Sequence, residues 1–450
     1  MCRYLDFRTI VGLDTAICNR ARRRAWLASM QQMRLEGVNS FNRHDVNSLG
    51  WLKIRGVQVS SLSVKSSGEY DHQQSAFSFD ARNMQVSNLH EIHLAYSSSY
   101  DIRGHETTLF ESIAAACKKL RSIRLGGTST YFAEKGLVNL FSGCTDLEVV
   151  DLSLENYCGD AGYNKKMSAV MSCLLQCNQL RDISITLWNN NVDISRLIAL
   201  IAHCPRLRKL SYDAYPECGE TFSVIACLAE HCPLLEELSL LAEPNGEEVR
   251  LQEADLSSLL ERCPGLVKLH MHGLTDAHFA ILGTSKTITS LGLFNLYDCA
   301  PLAAPFAALA AGGIQPKELA IELTIIEEER RGDEYDAGED EYDAPGRYRL
   351  TDACLSAISN FVHLEVFDLR NAADVTDGGL CCLALCTNLR SIQVSDCRKV
   401  SGCFLNTITK SCPLLRNVSM EFVNYQQQTA ESSPSRVTRS ECPQRELPST

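Results

Sequence analysis

The sequence lacks any long apolar run. No stretch reaches the roughly 18 consecutive apolar residues that a membrane-spanning helix needs, so we expect no membrane span. The first residues, Met1 to Asp6, also lack the apolar core of a secretory signal. Both absences favour a protein of the cytoplasm or nucleus.

Positive charge and catalytic motifs are also scarce. The chain has 43 basic and 55 acidic residues, a net charge of −12 at pH 7, which argues against a general nucleic-acid-binding surface. It contains no phosphate loop, no Gly-x-Ser-x-Gly, no His-Glu-x-x-His and no kinase signature. We therefore expect no enzymatic activity, no cofactor, and no nucleic-acid or membrane partner.

Cysteine, by contrast, is abundant, with 21 residues, and many of them open one fixed frame. The frame is cysteine, two residues, leucine, two residues, an apolar residue, one residue, and a second apolar residue. The copies that begin with cysteine start at Cys117, Cys144, Cys177, Cys204, Cys232, Cys263, Cys386 and Cys412. With the first position relaxed, further copies start at Val86, Ser285, Gly313 and Phe361, and a weaker one at Gly56. Starts mostly 25 to 33 residues apart predict a solenoid.

Each copy predicts a strand, a loop and a helix. The leucine-rich segment alternates as a short strand does, and apolar residues at helical spacing lead up to the next cysteine. The cysteine thus closes a helix, and a proline that stops the helix follows it in several units: Pro205, Pro233, Pro264 and Pro413. The pairs that precede helical runs predict N-caps: Thr275-Asp276, Thr351-Asp352 and Thr376-Asp377.

The ladder cysteines are expected to be reduced. They are flanked by residues of the predicted core, where a free thiol acts as a small hydrophobic side chain. Disulfides rarely persist in the cytosol or nucleus. A zinc site is not expected, since no Cys-x-x-Cys pair is matched by a second pair.

The frame, followed by Val-Thr-Asp-Gly-Gly-Leu at residues 375–380, resembles the cysteine-containing class of leucine-rich repeats. Cys397 fits the second cysteine of that class. The resemblance covers roughly residues 57–424 and is typical of F-box/leucine-rich-repeat proteins and related ribonuclease-inhibitor-like horseshoes. It implies an α/β solenoid of about 12–13 units, with parallel strands on the concave face and helices on the convex face.

Residues 1–56 do not follow the repeat. Residues 4–19 resemble the second half of an F-box, without the Leu-Pro-x-Glu helix that normally precedes it. This resemblance implies a degenerate F-box-like helical segment that contacts an adaptor through Leu5, Phe7, Ile10, Val11 and Leu13. The alternative is a segment that only caps the open end of the solenoid. Arg20 and the three arginines at 22–24 indicate either a nuclear localisation signal or a solvated helix face.

Two further segments are polar. Residues 327–346 form an acidic insert between a strand and a helix of one unit, and residues 425–450 form a polar tail. Both compositions predict disorder. The repeated Asp-Glu-Tyr-Asp around Tyr335 and Tyr342 is either a docking or phosphorylation element or a solvated expansion.

The residues between the ladder positions would form the concave, partner-binding surface. The candidate contacts are Arg124, Lys209, Asp213, Lys268, His270, His272, Phe294, Asp368 and Arg370. His270 and His272 would chelate a metal only with a third ligand, and otherwise form a cationic contact patch with Lys268. Phe294 would be an exposed aromatic hot spot.

By resemblance, the chain would be the substrate-recognition subunit of an SCF-type E3 ubiquitin ligase. The N-terminal segment would bind a Skp-type adaptor, and through it a cullin, while the concave face holds the target. One alternative is a stand-alone leucine-rich-repeat scaffold or inhibitor without ubiquitin linkage. Another is a RanGAP-like GTPase activator, whose catalytic arginine has no evident counterpart in this sequence.

Overall fold

The structure is a computed structural model that describes residues 20–29, 33–39, 59–65, 89–95, 105–128, 134–155, 163–188, 194–214, 221–241, 251–294, 303–323 and 350–421. The chain divides into two compact units, residues 1–249 and 250–450. Within the described ranges, no helix is both long and apolar enough to cross a bilayer. The acidic insert, the polar tail and residues 1–19 lie outside the described residues, so the expectations about them remain predictions.

In the described part of the first unit, eight strands pair in parallel in chain order. They are β1 (Met33–Asn39), β2 (Val59–Lys65), β3 (Glu91–Ala95), β4 (Ser122–Thr128), β5 (Val149–Glu155), β6 (Asp182–Trp188), β7 (Lys209–Ala214) and β8 (Glu237–Leu240). The helices are α1 (Arg20–Ser29), α2 (His105–Ala116), α3 (Glu134–Gly143), α4 (Tyr163–Leu174), α5 (Ile194–His203) and α6 (Thr221–His231).

The second unit repeats this arrangement with six described strands, again parallel and in chain order. They are β9 (Lys268–His272), β10 (Ser290–Phe294), β11 (Glu318–Glu322), β12 (Val366–Arg370), β13 (Ser391–Ser395) and β14 (Asn417–Glu421). The helices are α7 (Glu253–Arg262), α8 (Asp276–Gly283), α9 (Ala303–Gly312), α10 (Asp352–Ile358), α11 (Asp377–Cys381) and α12 (Leu405–Ser411), and a 3₁₀ turn, Cys382–Leu385, follows α11.

The two apolar frame residues of each strand form the core. In β3 to β13 their side chains are 0–4% exposed, as Leu210 and Leu269 illustrate. Each fully buried leucine or isoleucine contributes about 1.5–3 kcal/mol relative to exposure. Parallel strands that alternate with helices over this ladder confirm the α/β leucine-rich-repeat fold that the cysteine frame predicts.

Each repeat holds the next one through a shared backbone carbonyl just before the strand. The carbonyl of Arg121 accepts hydrogen bonds from the amides of Glu148 and Val149, at 2.8 and 3.0 Å. The carbonyl of Glu148 in turn accepts from the amides of Arg181 and Asp182, at 2.8 and 3.1 Å. In the second unit, two consecutive amides of the next repeat donate in the same way to the backbone carbonyls of Val267, Thr289, Lys317, Glu365 and Arg390.

The ladder cysteines lie at the helix ends, as predicted, and they also link repeats. The thiol of Cys144 donates to the carbonyl of Cys117 at 3.7 Å, and that of Cys177 donates to the carbonyl of Cys144 at 3.7 Å. In the second unit, the thiol of Cys412 donates to the carbonyl of Cys386 at 3.3 Å. All 15 cysteines among the described residues are free. At the frame positions that carry it, cysteine therefore serves as a small buried donor.

The threonines of the three Thr-Asp pairs are the N-caps of α8, α10 and α11, as the sequence predicts. Thr376 caps its own helix, because its hydroxyl accepts from the amide of Gly378 at 3.1 Å. The aspartates of the second and third pairs, Asp352 and Asp377, reach the following repeat. The carboxylate of Asp352 accepts from the amide and hydroxyl of Thr376, at 2.8 and 2.6 Å. Asp377 accepts from the amides of Ser401, Gly402 and Phe404 and from the Ser401 hydroxyl.

The N-terminal segment contains a strand that the sequence pattern does not predict. Strand β1 pairs in parallel with β2, with Leu35 opposite Leu62. Strand β2 itself belongs to the weaker repeat copy that starts at Gly56, and Leu62 is fully buried. The described part of residues 1–56 is thus helix α1 followed by a strand of the sheet, and not helices alone.

Candidate functional site

Each unit presents an open face, which we define as the strand side chains that alternate with the buried ladder residues. In the first unit these side chains lie on β2 to β8, and in the second on β9 to β14. The alternation of a strand sends the two sets to opposite faces of the sheet. All nine candidate contact residues of the repeats lie on one of these open faces, as the frame predicts.

The open face of the first unit carries opposite charges on neighbouring strands. Arg124 on β4 lies opposite Asp151 on β5. Asp182, Lys209 and Glu237 lie side by side on β6, β7 and β8, and the Lys209 ammonium donates to the Glu237 carboxylate. Among the described side chains of this face, acidic groups outnumber basic ones.

Burial raises the pKa of the Asp182 carboxyl, and Lys209 and Arg124 partly oppose this by favouring its charged form. The pKa of Lys209 is also raised, chiefly through its hydrogen bond to Glu237. Arg124 and Lys209, which the sequence predicts as partner contacts, therefore already stabilise carboxylates of the same face. Asp213 follows on β7, opposite Thr186 of β6.

A three-ring cluster marks the open face of the second unit. The ring of Phe294 on β10 stacks on His272 of β9, with centroids 5.6 Å apart and planes inclined by 27°. The ring of His270 lies 5.9 Å from Phe294 at 49°, and its Nε2 is 3.4 Å from the Ser290 hydroxyl. Phe294 is therefore half-buried against two histidines of β9, whereas the pattern predicts an exposed aromatic.

The cluster depends on Gly292. A Cβ at this position would lie 2.7 Å from the ring atoms of both His270 and Phe294. Since real Cβ atoms do not approach so closely, any larger residue would push the rings apart. A glycine inside a strand often marks such a close approach, and this signal was available in the sequence.

Burial lowers the pKa of His272 to about 4, so its imidazole is neutral at pH 7. Its Nδ1 atom is buried and has no hydrogen-bond partner in the part of the unit that the structure describes. His272 therefore adds no charge to the predicted cationic patch at pH 7. No group of three metal-ligating side chains occurs among the described residues, so the His-x-His pair finds no third ligand there.

A carboxylate–guanidinium network lies two strands away from Phe294. Arg370 donates to both oxygens of Asp368 on its own strand, at 3.3 and 2.9 Å. Its guanidinium also lies 3.8 Å from the carboxylate of Glu322 on β11. Glu322 is in turn the strand neighbour of Phe294. The structure thus brings Phe294, Asp368 and Arg370 into one region, with Glu322 between them.

The predicted residues fall into two groups. Arg124, Lys209 and Asp213 belong to the first unit, and the remaining six belong to the second. The adaptor-contact residues Leu5, Phe7, Ile10, Val11 and Leu13 lie outside the described residues.

No protein-family model matches the chain, and no curated protein matches it. Solved structures are similar at low identity. A chain of the yeast Rad7 and Elc1 complex is 16% identical, with a TM-score of 0.49, over 92% of this chain and 88% of that one. A leucine-rich-repeat protein of Leptospira interrogans is 12% identical, with a TM-score of 0.36, and the match covers 89% of this chain and 98% of that one. The leucine-rich-repeat-containing protein LegL7 of Legionella pneumophila is 12% identical, with a TM-score of 0.33, and the match covers 84% of this chain and 97% of that one.

Proposed function

We propose that this chain is a protein-interaction module whose partner binds on an open face of the repeats. The observation that carries the proposal is the clustering of polar, charged and aromatic side chains on the faces that the helices do not cover. A parallel sheet of this kind offers a regular array of contacts, each of small energy, that together bind an extended protein surface.

We further propose that the module recruits a target to an SCF-type ubiquitin ligase. The F-box-like pattern at residues 4–19 supports this role, with Leu5, Phe7 and Ile10 among the adaptor contacts. The chain itself would then perform no bond chemistry. It would raise the local concentration of the target near a conjugating enzyme, as tethering two sites on one scaffold does.

Co-purification of the full chain with a Skp-type adaptor tests this role. The unaltered protein should retain the adaptor on an affinity column, and the triple variant Leu5→Ser, Phe7→Ser, Ile10→Ser should lose it. A matched control replaces the arginines of α1, Arg22→Ser and Arg24→Ser, which should leave adaptor recovery unchanged. If the unaltered protein recovers no adaptor, the ligase role is excluded. The alternative of a stand-alone scaffold or inhibitor then remains.

A further inference from the structure

The three-ring cluster and its neighbouring carboxylates form one compact feature of the second unit. Phe294 lies between His272, on which it stacks, and Glu322, which is its partner on the next strand. Neighbouring strands in a sheet lie about 4.8 Å apart, so an aromatic face and a carboxylate are within reach of the same incoming side chain.

The charge of this open face is negative. Its described positions on β9 to β14 carry the cations Lys268 and Arg370 and the anions Glu318, Glu322, Asp368 and Glu421. The histidine stacked on Phe294 adds no positive charge at pH 7, because burial holds its pKa at about 4. Arg370 faces two carboxylates, Asp368 at 2.9 Å and Glu322 at 3.8 Å. A partner would therefore meet an aromatic surface beside an excess of negative charge.

We infer that this cluster is the anchor site for an arginine side chain of the partner protein. The guanidinium would lie against the ring of Phe294 and donate to the carboxylate of Glu322. Arginine fits better than lysine because its planar guanidinium both stacks on aromatic rings and forms forked hydrogen bonds with carboxylates. This inference rests on the proposed function, since both place a protein partner on the open face.

The geometry around the ring supports this occupant. His270 and His272 hold Phe294 from the side of β9, and Gly292 leaves no side chain between the rings. The ring is therefore held in place before the partner arrives, which reduces the entropy lost on binding. Strand alternation places Glu322 and Arg370 on the same open face, where the Arg370 guanidinium, held by Asp368, lies 3.8 Å from the Glu322 carboxylate.

Binding of a fluorescein-labelled peptide of alternating glycine and arginine to the full chain tests the inference by fluorescence anisotropy. Phe294→Leu, which keeps an apolar side chain, should raise the Kd about threefold to fivefold, because the cation–π contact is lost. Glu322→Gln should raise it by a similar factor. The same peptide with citrulline, which has the shape of arginine without its charge, should bind at least ~10-fold more weakly.

Two controls separate the site from general charge and folding effects. Glu261→Gln removes the same charge from an exposed position on helix α7 and should leave the Kd unchanged. Phe294→Tyr keeps the aromatic face and should bind as the unaltered protein does. Equal binding of the citrulline peptide, or an unchanged Kd in both Phe294→Leu and Glu322→Gln, would overturn the anchor site. Adaptor recovery does not involve these residues, so its loss with intact peptide binding would count only against the ligase role.

Discussion

Asp377 shows how a single side chain joins two repeats. It lies at the start of α11, and its carboxylate accepts four hydrogen bonds from the residues just before helix α12 of the next repeat. Burial raises the pKa of this carboxyl, but the hydrogen bonds from Ser401, Phe404 and Gly402 outweigh burial and lower it. A carboxylate in this position stabilises the folded state through its charge as well as its shape.

We expect Asp377→Asn to destabilise the protein by about 2–3 kcal/mol at pH 7, since hydrogen bonds to a charged acceptor are lost. A depressed folded-state pKa stabilises the fold above the unfolded-state pKa of about 3.9, and this contribution is lost as the pH falls through the folded-state pKa. The difference between variant and unaltered protein should thus shrink on acidification. Chemical denaturation at pH 7 and below pH 4 measures it.

Asp374→Asn is the matched control, because Asp374 pairs at 2.7 Å with the exposed side chain of Lys399 in the following repeat. An exposed pair contributes about 0.2–1 kcal/mol, so this variant should be much milder. Equal losses for Asp374→Asn and Asp377→Asn would contradict the bridging role of Asp377.

The sequence pattern predicts these residues only in part. Thr-Asp before an apolar run indicates an N-cap, and Thr376 is one. The pattern cannot show that Asp352 and Asp377 bind the next repeat, because that depends on how close two helix starts lie in space. The same limit applies to Phe294, whose packing against His270 and His272 follows from the register of β9 and β10.

At the scale of elements, helices α8 and α9 approach each other through two glycines. A Cβ on Gly312, at the end of α9, would lie 2.5 Å from the carbonyl oxygen of Gly283, at the end of α8. The atoms it would meet are backbone atoms, which cannot move aside as a flexible side chain can. This close contact sets the spacing of the two helices.

Gly312→Ala should therefore destabilise the protein by about 1–3 kcal/mol, since overpacking forces the two backbones apart. Gly126→Ala on strand β4 is the control, because a Cβ there would meet nothing within 4 Å. We expect the control to be as stable as the unaltered protein or slightly more stable. Thermal melting compares the two, and a neutral Gly312→Ala would show that the helices can separate freely.

The elements themselves follow closely from the sequence. Repeated apolar positions predict β3 to β14 because a buried strand face needs alternating apolar residues. Where the frame begins with cysteine, that cysteine also predicts the end of the preceding helix. Strand β1 is the exception. Its sequence, Met-Arg-Leu-Glu-Gly-Val-Asn, follows no cysteine frame, and it joins the sheet by pairing with β2.

At the scale of the whole molecule, the buried thiols add up to one pH-dependent property. Burial raises the pKa of Cys117, Cys177, Cys204 and Cys386 to about 12 each. Thiols in the unfolded chain ionise near pH 8.5. Raised folded-state pKa values contribute stability that is fully present below about pH 8.5 and is lost as the pH rises toward 12.

We therefore expect the free energy of unfolding, measured with a reductant present, to fall between pH 8.5 and 10. Each such thiol contributes a slope of up to about 1.4 kcal/mol per pH unit. Cys177→Val should reduce the slope by about one such contribution, while replacement of the exposed Cys403 by serine should not change it. A flat profile over this range would contradict the burial of the thiols as protonated donors.

The shared backbone carbonyls have a consequence for synthesis. In every such link the acceptor belongs to the earlier repeat and the paired amides belong to the later one, as in Arg121 with Glu148 and Val149. Because ribosomes deliver the chain from its N-terminus, each emerging repeat meets an acceptor that has already been made. Within each unit, the fold can thus be extended one repeat at a time while the remainder of the chain is still being translated.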